Sequence, residues 1–109
     1  MGLDIYVERR PRSESEEVAY WRKQNALQGW FEKNYNIENC GEVILTEEVV
    51  NKLLVDLENQ ILEPTEGFFY GSDKPLSDEW FKDMHKEWSD ILSQIKMNPG
   101  YEYYYTCWY

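Results

Sequence analysis

Reactive residue types are scarce in this chain of 109 residues. It has one histidine, His85, two cysteines, Cys40 and Cys107, and no arginine after Arg22. His85 has Asp83 and Glu87 nearby but no HExxH, no second histidine and no nucleophile at a useful spacing. It reads as a structural histidine in the third helix, at the surface or at the margin of the core. The cysteines are far apart and lack metal-type spacing, so they read as free thiols in a reducing compartment; a disulfide requires that their segments meet. Gly67 and Gly71 flank three aromatics without a GxGxxG pattern or a P-loop lysine, which leaves no phosphate cradle. No apolar run approaches the roughly 18 residues of a membrane span. Met1-Gly2-Leu3-Asp4 lacks the basic and apolar regions of a signal peptide, and Tyr6 stands where myristoylation wants Ser or Thr. The expectation is a single cytoplasmic domain over residues 1–109, without a metal, a cofactor or catalytic residues.

Positive charge is the other shortage, and its placement is uneven. The net charge is −10. Residues 1–34 balance six acids against six bases, whereas residues 35–109 carry fifteen acids and five lysines. Direct nucleic-acid binding, which depends on neutralising phosphates, is therefore not expected. Aromatics are plentiful instead, at 17% with nine Tyr and five Trp, more than a small core can enclose.

Leu3, Ile5 and Val7 alternate with Asp4, Tyr6 and Glu8, which predicts a strand with one apolar face. Ser13 followed by Glu16 is a capping box, and a long helix is expected over residues 15–33. Val43-Ile44-Leu45 reads as a short buried strand. Thr46 reads as the N-cap of a second helix whose stripe is Val50, Leu53, Leu54, Leu57 and Ile61, with Pro64 beyond its end. Gly67 to Ser72 is a short strand or extended loop. Ser77 caps a third helix with Phe81, Met84, Trp88, Ile91, Leu92 and Ile95 inward, and Asn98-Pro99-Gly100 stops it. Residues 101–109 are rich in β-formers and read as a last strand. The fold class is α+β: a small mixed sheet of about four short strands with three helices, in the order β-α-β-α-β-α-β.

Three clusters have two readings each. Glu79, Asp83, Glu87 and Asp90 recur along one side of the third helix, with Lys82 and Lys86 interleaved. They form either a solvated face or a docking surface for a basic protein. The closing aromatics, with Tyr104 and Trp108 as contact candidates, divide between two strand faces. Those not needed for packing suit an interface, with a partner or with a second copy in a homodimer. Asp4, Arg22, Lys23 and Asn25, with Phe69 and Tyr70, form either a structural ion pair with solvated neighbours or a nucleotide-like ligand pocket.

Several stretches together resemble a group of small phage and prophage proteins. The opening Gly2-Leu3-Asp4-Ile5-Tyr6 is similar to their "MGLDMY". Tyr20-Trp21-Arg22-Lys23-Gln24-Asn25-Ala26 with Trp30-Phe31 is similar to "YWRKxNxIHxWF", and Gly67-Phe68-Phe69-Tyr70-Gly71-Ser72 to "GFFFGS". The similarity keeps the same order over most of the chain. Gln28 stands where the motif has histidine, so chemistry resting on that histidine would be lost here and a binding role kept. The resemblance implies an accessory protein of the anti-defence type, such as an anti-CRISPR protein. Its partner would be a host defence nuclease with a basic surface. The alternative is a small-ligand, nucleotide-sequestering protein.

Overall fold

A computed structural model describes residues 3–10, 16–22, 24–62, 66–67, 71–72 and 76–109. The elements in chain order are β1 (Asp4–Arg10), β2 (Glu16–Arg22), α1 (Asn25–Tyr35), β3 (Glu42–Ile44), α2 (Glu47–Glu58), β4 (Glu66–Gly67), β5 (Gly71–Ser72), α3 (Asp78–Met97) and β6 (Glu102–Trp108). Four of the strands form one sheet in the order β2-β1-β6-β3. The fold is α+β, with a four-stranded sheet and three helices. Each pairing in that sheet is antiparallel, so the sheet is not mixed.

The register explains which residues meet. Ile5 lies opposite Trp21 on one side and Cys107 on the other, and Val7 lies opposite Ala19 and Tyr105. Side chains directly opposite share a face, so these rows build the core side, where Leu3, Ile5, Val7, Tyr105 and Cys107 are fully buried. Helix α1 places Phe31 flat on Tyr105, with ring centroids 3.7 Å apart. Trp88 of α3 packs against Phe31 at 5.8 Å and stacks on Trp21 at 5.4 Å. Helix α2 packs against α3 and buries Val50, Leu53 and Leu57. One contiguous apolar cluster thus joins the sheet to all three helices. No helix among the described residues is long and apolar enough to cross a membrane.

Two expected elements are replaced. The helix over residues 15–33 is instead strand β2 followed by α1, which begins only at Asn25. Ser13 and Ser15 lie outside the described residues, so the capping box is not part of the described fold. The reason for the change is tertiary. Strand β1 has two edges to satisfy, and Val18, Tyr20 and Trp21 are good strand formers that can pair with one of them. An ion pair from Arg9 to Glu16 at 2.9 Å adds to that pairing. The segment around Gly67 does not join the main sheet. It forms a separate antiparallel pair, β4 and β5, with Glu66 opposite Ser72 and Gly67 opposite Gly71. The element order therefore has one strand more before α1 and two short strands where one was expected.

Smaller differences follow the same logic. Helix α2 stops at Glu58, and Gln60 adopts the left-handed conformation, so Ile61 leaves the expected stripe and is 59% exposed. Pro64 lies outside the described residues. In β3, Val43 is buried and Ile44 is on the outward face at 42% exposure, because the strand is amphipathic. Both expected caps are formed: Thr46 Oγ1 accepts from the Val49 amide at 3.3 Å and Ser77 Oγ from the Trp80 amide at 3.1 Å.

Candidate functional site

Helix α3 is amphipathic over its twenty residues. Phe81, Met84, Trp88 and Ile91 face the core, so the positions between them must face water. Glu79, Asp83, Glu87 and Asp90 are all exposed there, together with Lys82 and Lys86. The ion pairs among the described residues lie elsewhere: Arg9 with Glu16, Arg10 with Glu42 and Glu102, and Lys96 with Glu47. Arg10 is fully occupied in this way, for its guanidinium also covers the Tyr104 ring at 4.3 Å. Arg9 and Arg10 are thus engaged on the sheet, and the ion pairs among the described residues leave the α3 stripe its negative charge.

One member of the stripe has a second task. Glu87 Oε2 accepts a 2.6 Å hydrogen bond from the indole Nε1 of Trp21, tying α3 to β2. Strand β2 is an edge of the sheet, and no described strand pairs with its outer side. Between β2 and α3 runs an open groove of about 320 Å³, lined by Val18 to Trp21 on one wall and by Glu87, Asp90, Ile91 and Gln94 on the other. Its lining sets Tyr20 and Trp21 beside the carboxylates of Glu87 and Asp90, a setting suited to a cationic side chain. Because residues 16–22 read as helix in the sequence, this groove was not foreseen. The run of strand formers Val18, Tyr20 and Trp21 was the signal for it.

The two aromatic contact candidates have different fates. Trp108 is 58% exposed on the sheet face that turns away from the helices, near Asp4, Tyr6, Glu8 and Thr106 around a cavity of about 360 Å³. Tyr104 shares that face but is buried, at 3% exposure. Its hydroxyl donates to Glu8 Oε1 at 2.8 Å while Arg10 lies over its ring, so little of it is left for a partner.

Of the ligand-binding candidates, the described ones, Asp4, Arg22 and Asn25, do not line a common cavity among the described residues. Asp4 and Arg22 lie opposite each other in the register of β1 and β2, without an ion pair between them. Asp4 Oδ1 instead accepts from the Tyr20 hydroxyl at 2.6 Å, which raises the Tyr20 pKa above its ordinary value. Asn25 is buried in the first turn of α1. Lys23, Phe69 and Tyr70 lie outside the described residues. The cavity beside Asp4 also contains Glu8, and two carboxylates repel rather than hold a phosphate.

His85 is half-buried with Nδ1 3.4 Å from Ser89 Oγ. No group of three or more His, Cys, Asp and Glu among the described residues is placed to hold a metal ion. A buried polar cluster does exist where none was anticipated. Gln28 is fully buried, donates from Nε2 to Cys107 Sγ at 3.3 Å, and accepts at Oε1 from the Tyr105 hydroxyl at 2.5 Å. Burial raises the Cys107 thiol pKa above its ordinary value. No protein-family model, curated protein or solved structure matches this chain.

Proposed function

We propose that this chain acts by stoichiometric binding rather than by turnover, as a phage-type accessory protein that covers a basic surface of a host defence nuclease. The observation that carries the reading is the α3 stripe of Glu79, Asp83, Glu87 and Asp90, exposed and without ion pairs among the described residues. Carboxylates spaced along one rigid helix are complementary to lysines and arginines that otherwise hold a nucleic-acid backbone. A net charge of −10 steers such an encounter and makes its rate fall with ionic strength. The groove beside β2 gives a cationic side chain of the same partner a seat between Trp21 and the carboxylates of Glu87 and Asp90, and Trp108 offers an aromatic contact on another face.

The test is a titration of a purified CRISPR effector nuclease, with cleavage read against the molar ratio of added protein. Asp83 and Asp90 are the positions to reverse, since Glu87 also holds Trp21. D83K/D90K, shown to be folded by its circular dichroism and thermal transition, is expected to need about tenfold more protein for half-inhibition, roughly the effect of 1.4 kcal/mol. A folded variant as potent as the parent would remove charge mimicry from consideration.

A further inference from the structure

We propose that Cys40 and Cys107 are a modification site: a thiol pair that reacts with a low-molecular-mass disulfide such as oxidised glutathione and closes into an intramolecular disulfide. The two residues are remote in sequence, but the fold sets them side by side. Residues 38–41 form a tight turn in which the Gly41 amide donates to the Glu38 carbonyl at 2.9 Å and Cys40 takes a left-handed φ of 65°. A Cβ at position 41 would lie 2.9 Å from that carbonyl, which is why glycine stands there. This turn is clasped to the end of β6. The Cys40 amide donates to the Cys107 carbonyl at 2.8 Å, and Thr106 Oγ1 donates to the Gly41 carbonyl at 2.8 Å. Asn39 exchanges two hydrogen bonds of 3.0 Å with the Tyr109 backbone. The Cys107 thiol itself points at the turn, donating to the Glu38 carbonyl at 3.5 Å.

An amide bonded to the carbonyl of another residue brings the two α-carbons to about 5–6 Å, inside the span that a disulfide bridges. Cys40 is exposed, with its thiol donating to Asn39 Oδ1 at 3.6 Å in the same turn, whereas Cys107 is buried. That asymmetry orders the chemistry. The Cys40 thiolate attacks one sulfur of oxidised glutathione, forms a mixed disulfide and expels one glutathione thiolate. The Cys107 thiol then loses its proton and attacks Cys40 Sγ, expelling the second glutathione thiolate. Two protein thiols are oxidised, one glutathione disulfide is reduced to two thiols, and the protons lost by the cysteines are taken up by those products. Burial raises the pKa of Cys107, which lowers the share of thiolate available for the second step.

The experiment incubates the full chain with oxidised glutathione, blocks remaining thiols by alkylation and measures intact and peptide masses. The expected product is monomeric, has lost two hydrogens, carries no alkyl group and yields a peptide cross-linked between Cys40 and Cys107. C107S, or C107A where serine disturbs the core, is expected to stop at a single glutathionyl group on Cys40. C40S is expected to stay unmodified. Overturning results are a parent chain that accumulates a stable glutathionyl adduct at Cys40, one that dimerises through Cys40, or one that does not react.

Discussion

Gln28 shows what a single buried polar residue does in this fold. Its amide lies wholly out of water, and burial of an amide is costly unless both ends are bonded. Tyr105 supplies the donor and Cys107 the acceptor, so the residue joins α1 to two inward positions of β6. Gln28→Leu keeps the volume but takes the acceptor from a buried hydroxyl. That loss is expected to lower unfolding stability by about 1–3 kcal/mol. Gln28→His restores the residue type of the phage motif, and an imidazole offers one donor and one acceptor. The expected order in chemical denaturation is therefore parent, then histidine, then leucine. A histidine variant less stable than the leucine variant would contradict the hydrogen-bonding role. The sequence marked this position only as a departure from a motif; its burial and partners depend on strands that lie far along the chain.

The elements divide by whether their signals are local. Helices α2 and α3 were legible because their caps, first-turn acids and apolar stripes are neighbours in sequence. Strand β1 and strand β6 were legible for the same reason. Strand β2 was not, because Ser13 and Glu16 offer a helical start while the decision is made by pairing with Ile5 and Val7 across the hairpin. The candidate contact face was legible in part. An acidic stripe opposite an apolar one has to face water, but the groove beside it follows from β2 being an edge strand. Tyr104 went the other way, since nothing near it in sequence says that Arg10 and Glu8 would cover it. The caps themselves give a prediction. Ser77→Ala removes the acceptor of the Trp80 amide and is expected to cost about 1 kcal/mol in urea or guanidinium unfolding. Thr46→Ala removes a longer bond, 3.3 against 3.1 Å, and is expected to cost less. Equal stability of Ser77→Ala and the parent would show that the cap does not hold the start of α3.

At the scale of the whole molecule, a thiol and three phenols among the described residues are shifted in one direction. Among the described residues, Cys107, Tyr35 and Tyr109 are raised above their ordinary values chiefly by burial, and Tyr20 chiefly by its hydrogen bond to Asp4. The unfolded chain gives up these protons at ordinary values of 9.0 for the thiol and 10.0 for the phenols, while the folded chain still holds them. Over that interval the unfolded state binds fewer protons, so stability falls as pH rises. The contribution of these groups is complete below about pH 8 and is lost from about pH 9 upward. Self-repulsion from a net charge of −10 acts in the same direction, but salt screens it and leaves the cost of ionising a buried group largely intact. The denaturation midpoint is therefore expected to drop between about pH 8 and pH 10.5, and to keep most of that drop at about 1 M salt. Cys107→Ala removes the earliest of these titrations and should delay the onset. A drop abolished by salt would mean that net charge rather than burial sets the alkaline limit, and a midpoint that stays level across this range would mean that neither does.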